Sequence, residues 1–380
     1  MKNTITFNRK TILVTGAAGF IGYYLVKRLL EETEGSTVIG LDNFNDYYDV
    51  SLKEWRYRSL VEMQPPGGST LVFERGSLED KALIDRLFGC HRPDLVVNLA
   101  AQAGVRYSID HPDAYINSNL IGFYNILEAC RHSYDAVTGR DETSDASGAY
   151  RGVQHLVYAS SSSVYGGNTK VPFSEDDAVD HPVSLYAATK KSNELLAHSY
   201  AKLYDIPCTG LRFFTVYGPA GRPDMAVFSF TDALTRGDRI KVFNYGDCKR
   251  DFTYIDDIVE GVLRVMGGAP ARVKGADGFP VPPYAIYNIG NSHPENLMDF
   301  VHILAEELIS AGVLPDDFDI EAHMDLVPMQ PGDVPVTYAD TSKLEADFGY
   351  RPSTALRTGL RNFAEWYRVS GGNVSLYPSP

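Results

Sequence analysis

Short runs of Val, Ile and Leu alternate with stretches whose apolar positions recur every three to four residues. TILVTG (11–16), TVIGLD (37–42), TLVFERG (70–76), DLVVNLA (94–100), HLVYASS (155–161) and TGLRFF (209–214) predict strands. Helices are predicted over 20–32, about 79–88, about 113–132 and 184–204. Continuous apolar strands separated by helices indicate a parallel sheet covered on both faces. Beyond about residue 217 the pattern loosens, with Pro and Gly frequent in GPAGRPDM, GGAPARVKGADGFPVPP and MQPGDVP. Short helices at about 256–266, 296–311 and 353–369, with strands IKVF and YAIYNIG, predict a smaller mixed unit. The expected architecture is α/β: a doubly wound parallel sheet over 1–217 and a mixed α/β domain over 218–370. The second domain can return a strand or helix to the first, and a flexible tail follows over 371–380. Segments 135–152 and 267–283 read as loops or disorder.

Composition narrows the partners. The 380 residues are 44% hydrophobic and 22% charged, with 35 basic and 49 acidic side chains and a net charge of −14. That balance argues against nucleic acid or an anionic membrane as the main partner, and leaves room for a locally positive pocket. No run approaches the roughly 20 apolar residues of a membrane span. The first residues lack the apolar core and small-residue cleavage site of a signal peptide. Four cysteines without C-x-x-C spacing point to the reducing cytoplasm. Nine histidines form no H-x-H or H-x-x-x-H pair, so no metal site is expected.

The first strand runs into Gly16-Ala17-Ala18-Gly19-Phe20-Ile21-Gly22 and then a helix. Gly16 permits the tight turn, Gly19 a close approach of a diphosphate, and Gly22 close helix–sheet packing. The phosphates then meet free N–H groups and the positive end of the helix dipole. Asp42 ends the second strand about 20 residues further on, where a carboxylate accepts from both adenosine ribose hydroxyls and repels a 2′-phosphate. No Arg follows at 43–46, so NAD is expected rather than NADP.

Tyr186 and Lys190 lie four apart in a predicted helix, one turn apart on one face. A tyrosine is a poor base at neutral pH unless cations favour the phenolate, and a drop of about 3 pH units requires roughly 4 kcal/mol. A nearby ammonium and a nicotinamide's positive charge are the expected sources. Alone, Y-x-x-x-K is common on helical surfaces. Here Ser160, Ser161, Ser162 and Ser163 end a parallel strand at the carboxyl edge, where ligands sit in such sheets. Glycine turn, strand-end Asp, Ser cluster and Tyr/Lys helix in this order make coincidence a poor account.

Together these residues resemble the extended short-chain dehydrogenase/reductase family, the nucleotide-sugar epimerases and dehydratases, and within it the epimerases of UDP-glucuronate. The resemblance runs through VTGAAGFIG, NLAAQAGVRYS, YASSSSVYGGNTKVPFSE, SLYAATKKSNE, TGLRFFTVYGPAGRPDM, RDFTYIDDIV, QPGDVPVTYADTSK and FGYRPST, nearly the whole chain. It implies a Rossmann domain holding NAD, a C-terminal domain holding a UDP-sugar (UDP-glucuronate or UDP-galacturonate), and a homodimer. It implies Tyr186, Lys190, Ser161 and Ser162 as the catalytic set. Cofactor contacts are implied at Gly16, Gly19, Phe20, Ile21, Gly22, Asp42, Asn43, Ser77, Leu78, Leu99, Ala100 and Ala101, as well as Tyr186 and Lys190. Substrate contacts are implied at Arg106, Asn119, Ser162, Ser163, Thr215, Arg222, Val242, Arg250 and Asp333. The chain departs from the family's pattern at Asn98, often His, and at Ser77, usually Asp.

The implied reaction inverts C4 through a 4-keto sugar. For a uronate that species is a β-keto acid prone to lose CO₂, so its carboxylate must be held in an unproductive orientation. Arg222 suits this, since a guanidinium grips a carboxylate at two points. A decarboxylase or 4,6-dehydratase typically carries an acid where Ser163 stands, and so is disfavoured. A galactose-type 4-epimerase is a closer alternative, while a non-catalytic NAD-binding protein would typically lack Tyr186 or Lys190.

Overall fold

The computed structural model describes residues 2–135, 151–329 and 334–370. Most of the 135–152 segment and the whole 371–380 tail lie outside the described residues.

The first half alternates strand and helix. It runs β1 (Thr11–Thr15), α1 (Phe20–Glu32), β2 (Thr37–Asp42), α2 (Val50–Val61), β3 (Thr70–Arg75), α3 (Lys81–His91) and β4 (Leu95–Asn98). Short helical turns and the π-helical Ile116–Ile121 lead into α4 (Gly122–Ser133), followed by β5 (His155–Ser161), α5 (Leu185–Tyr204) and β6 (Cys208–Phe213). The second half holds β7 (Thr215–Tyr217), α6 (Ala226–Thr235), β8 (Ile240–Phe243), β9 (Lys249–Tyr254), α7 (Ile255–Met266), β10 (Tyr284–Ile289) and β11 (Pro294–Asn296). It ends with α8 (Leu297–Ser310), β12 (Met324–Val327), α9 (Ser342–Phe348) and α10 (Leu356–Ser370).

Seven strands form one sheet in the order β10-β6-β5-β4-β1-β2-β3. Every adjacent pair is parallel. The order reverses between β1 and β4, which opens a crevice at the carboxyl edge of the sheet. The inner strands bury both faces, as their continuous apolar runs predict, whereas the edge strand β3 is only partly buried. Ile12 and Val14 pack on one face with Leu25, Val26 and Leu29 of α1 and Ile258 and Val262 of α7. Leu13 faces the other side with Ile84 and Leu87 of α3 and Ile126 and Leu127 of α4. The return of β10 to the sheet therefore places residues 284–289 with the first half of the chain.

Three smaller pairings cover the crevice. β7 pairs in parallel with β9, β9 pairs antiparallel with β11, and β8 pairs in parallel with β12. Seven of these elements were not expected from the pattern: α2, β7, α6, β9, β11, β12 and α9. Segment 267–283 is not a plain loop either. Gly268–Pro270 pairs antiparallel with Lys2–Thr4, and Val273–Lys274 with Pro280–Val281. The first of these pairs joins residues far apart in sequence, which local patterns do not reveal.

Candidate active site

One cavity of about 810 Å³ runs along the carboxyl edge of the sheet, from Asp42 to Arg250. Its size is at the upper end of small-molecule sites.

At one end stands the glycine turn. Gly16 has φ +70, and a Cβ there would sit 2.8 Å from the Ala100 nitrogen. A Cβ on Gly22 would sit 2.0 Å from the Gly16 carbonyl oxygen, so α1 can approach this closely only with glycine. Gly19 caps α1 without a side-chain hydrogen bond, leaving the first helical N–H groups for an anion. Asp42 is buried at the cavity wall. Its carboxylate accepts from the Ala18 N–H at 3.0 Å and the Phe44 N–H at 2.9 Å, which fixes its rotamer while each oxygen retains a lone pair. Phe20, Ile21, Asn43, Ser77, Leu78, Leu99, Ala100 and Ala101 line the same end. The uncapped helix start, the glycine turn and the strand-end carboxylate fit a dinucleotide with an unphosphorylated ribose. Asn98 lies beneath this end, accepting from the Thr15 hydroxyl at 2.8 Å.

In the middle, β5 delivers its serines and α5 presents Tyr186 and Lys190. Ser161 donates to the Ser163 hydroxyl and accepts the Ser163 N–H, each at 3.1 Å, so it caps the turn after β5. Ser162 and Ser163 line the cavity, whereas the Ser160 hydroxyl is committed to the buried Glu194 at 2.7 Å. Glu194 is itself gripped by Arg212 through two bonds of 2.9 Å. The Tyr186 phenol is half-buried. Burial pushes its pKa above the ordinary value, against the pull of the Ser161 hydroxyl and the Arg222 charge. The expected pull from Lys190 is not among these effects. The Lys190 ammonium is buried and donates to the Ala159 carbonyl at 2.9 Å, and burial lowers its pKa to about 8.

The far end gathers Arg106, Thr215, Arg222 and Arg250. The two-point grip expected of Arg222 takes a narrower form. Its Nε and Nη2 are already held by Asp224 at 3.0 and 2.5 Å, which leaves only the Nη1 side of the fork for a ligand. Tyr47, from the loop after β2, donates to the same carboxylate at 3.0 Å. Burial works to raise the Asp224 pKa, but Arg222 and Tyr47 outweigh it and hold it below the ordinary range. Burial and the Asp224 charge push the Tyr47 pKa up to about 12.

Two expected contacts do not reach the cavity. Asn119 is buried with its amide consumed: it accepts from the Gln102 N–H at 2.8 Å and donates to the Gln102 carbonyl and the Thr189 hydroxyl. It anchors the 101–105 loop instead. Val242 points into the core, because strand alternation sends its neighbours Lys241 and Phe243 to the cavity. Asp333 lies outside the described residues, although Val334 and Thr337 beside it line the cavity. Sequence reasoning missed Tyr47, Lys53 and Asp224. Lys53 sits on an unpredicted helix. Asp224 stands within GRPDM, where a carboxylate two residues after the arginine was the available signal. Among the described residues no group of three or more His, Cys, Asp or Glu side chains converges as metal ligands.

A parallel sheet with a glycine turn at its switch point, a Tyr/Lys helix beside a serine turn and a cation-lined far end define a nucleotide-sugar-type dehydrogenase fold. The model of the NAD dependent epimerase/dehydratase family matches residues 12–290, and the chain belongs to that family. It is 43% identical over 362 residues to the Probable UDP-glucuronate 4-epimerase of Rhizobium meliloti (strain 1021), covering 93% of this chain and 96% of that one. It is 48% identical over 362 residues to Protein CapI of Staphylococcus aureus, covering 94% and 98%. Its fold superposes on a crystal structure of UDP-glucuronic acid 4-epimerase from Bacillus cereus in complex with UDP-glucuronic acid and NAD. The TM-score is 0.77 at 29% identity, with 94% of this chain and 99% of that chain covered.

Proposed function

We propose that this protein is an epimerase that interconverts UDP-glucuronate and UDP-galacturonate by inverting C4, using NAD held at the Gly16–Gly22 turn. The observation that carries the reading is the convergence, in one cavity, of the glycine turn, the Tyr186–Ser161 pair and Arg222. The relatives at 43% identity and the Bacillus cereus structure support the same substrate.

NAD, held by the Gly16–Gly22 turn with its ribose at Asp42, would supply a reversible hydride acceptor for C4. The chain's own residues manage the proton and the orientation. Tyr186, paired with Ser161, takes the proton of the C4 hydroxyl and gives it back after the sugar has turned. Burial keeps the phenol protonated in the protein alone, so its activation depends on positive charge brought by the ligand as well as on Arg222. Lys190 lies on the same helix face as the tyrosine and lines the cofactor side of the cavity. Arg222 and Thr215 hold the uronate carboxylate out of line with the keto group, with Asp224 fixing the guanidinium plane. Arg250 and Asp333 serve the UDP diphosphate and ribose.

In this reading residues 1–217, with the returning α7 and β10, form the cofactor half, and the rest of 218–370 forms the substrate half. The apolar side chains exposed on and before α4 and α5, Ile121, Tyr124, Leu195 and Leu203, support a homodimer through these helices. The four free cysteines fit a cytoplasmic enzyme. Among the described residues no helix is long and apolar enough to cross a membrane.

The deciding experiment is incubation of purified protein with UDP-glucuronate and separation of the nucleotide sugars. UDP-galacturonate, formed without net NADH, is expected. A UDP-pentose as the main product, or turnover of UDP-glucose alone, would overturn the proposal.

A further inference from the structure

Arg56 on α2 is fully buried, yet its guanidinium meets no carboxylate among the described residues. Nη1 donates to the Ala18 carbonyl at 2.9 Å and the Tyr48 hydroxyl at 2.8 Å. Nη2 donates to the Ala220 carbonyl at 2.6 Å and the Gly221 carbonyl at 3.2 Å, and Nε has no partner among the described residues. A buried cation with only neutral acceptors is costly unless negative charge arrives nearby.

The two ends of this contact matter. Ala18 lies in the turn whose free N–H groups fit a diphosphate. Ala220 and Gly221 form the turn that presents Arg222. Ala220 is held at φ +48, a left-handed conformation that is unfavourable for a non-glycine residue. The Arg56 bond to its carbonyl offsets that strain. Tyr24 adds a second tether, donating to the Pro219 carbonyl at 2.9 Å.

We propose that Arg56 is a positioning residue that ties the cofactor turn to the substrate turn, so that filling the dinucleotide site orders the turn carrying Arg222. Its charge favours the incoming diphosphate, and its fork transmits the fixed position of Ala18 to Ala220 and Gly221. Coupling of this kind is reciprocal, so order in the substrate turn also strengthens cofactor binding. The inference goes beyond the proposed reaction and holds for any sugar at the far end.

The test uses the full chain titrated with NAD, comparing wild type with Arg56→Lys and Arg56→Met. Amide hydrogen exchange is followed in peptides spanning 16–22 and 218–225, together with the NAD dissociation constant. In wild type, NAD is expected to slow exchange in both segments, by tenfold or more in 218–225. Arg56→Lys keeps the charge and loses the fork. It should still show NAD protection at 16–22 but lose it at 218–225, with NAD affinity reduced a few-fold. Arg56→Met loses both, and NAD affinity should fall at least tenfold; if this variant does not fold, Arg56→Lys alone carries the test. Adding Ala220→Gly to Arg56→Lys removes the left-handed strain and should restore part of the protection. Protection at 218–225 that survives in Arg56→Lys, or that is independent of NAD in wild type, overturns the proposal.

Discussion

Replacing Lys190 with methionine should abolish turnover and make the protein more stable. Lys190 is 3% exposed, and its ammonium donates to the Ala159 carbonyl at 2.9 Å. Burial lowers its pKa from 10.5 to about 8, a gap of roughly 2.5 pH units. At about 1.36 kcal/mol per unit this is a cost of about 3 kcal/mol. The sign follows from proton binding. Below pH 8 both folded and unfolded chains hold the proton, and the fold bears the full cost. Between about 8 and 10.5 the unfolded chain binds more protons, so stability rises with pH until the cost is gone. Methionine removes the charge and fills similar space, but forfeits the bond to Ala159, worth about 1 kcal/mol. The net gain at pH 7 is then about 2 kcal/mol. With an unfolding entropy of about 2.1 cal/mol/K per residue over the whole chain, Tm should rise by about 2–3 °C. The assay is calorimetry of nucleotide-free protein at pH 7 and at pH 10. The variant should melt higher at pH 7, and its advantage should vanish by pH 10. A lower Tm at pH 7, or an offset that ignores pH, would refute the reasoning.

Three further substitutions address the rest of the cavity. Tyr186→Phe should leave folded, NAD-loaded protein whose turnover of UDP-glucuronate falls at least about 100-fold, the scale of lost acid–base catalysis; near-normal rates would place the proton elsewhere. Arg222→Lys cannot hold Asp224 side-on and a ligand at once, so UDP-glucuronate binding by calorimetry should weaken by about 1.5–3 kcal/mol while UDP-glucose binding barely moves. Equal losses for both sugars would remove the carboxylate from its role. Denaturing the purified protein should release NAD, and Asp42→Asn, which keeps an acceptor for only one of the Ala18 and Phe44 N–H groups, should narrow the preference over NADP at least about tenfold; an unchanged preference would mean that other groups select the ribose.

The sheet and most of its helices were legible because the buried parallel strands carry continuous Val, Ile and Leu. The glycine turn, Asp42, the serine turn and the Tyr186/Lys190 pair were legible because their spacing follows from backbone geometry. Helix α2 was not. Its buried positions are Leu52, Lys53, Arg56 and Leu60, so two of its four inward residues are cations that read as solvent-facing. Strand β9 begins KRD, again charged, although its Asp251 is fully buried and accepts from Ala339, Asn291 and Ser292 N–H groups. Asn119 and Val242 were misplaced for a different reason. A resemblance carries residue type to a position, but whether that side chain faces the ligand depends on neighbours such as Gln102 and on strand alternation.

The misreadings of α2 and β9 share a cause, which is where the chain keeps its cations. A net charge of −14 describes the outer surface, whereas the cavity reverses it. Among the described residues, Lys53, Arg106, Lys190, Arg222, Lys241 and Arg250 line it against Asp42 and Asp224, and Arg56 lies just behind. Each proposed ligand is a diphosphate, and the uronate adds a further negative charge, so a cleft of positive potential within an acidic surface both attracts and selects them. The two carboxylates sit where their charge has a specific task. In the proposed reading Asp42 stands where a 2′-phosphate would fall, and Asp224 holds the Nε–Nη2 side of Arg222 and leaves Nη1 for the substrate. Composition argues against nucleic acid as a partner, yet the same chain gathers basic groups in one place. Burying Lys190 and Arg56 without carboxylate partners costs stability in the free protein, and that cost becomes binding and positioning once anions enter the cavity.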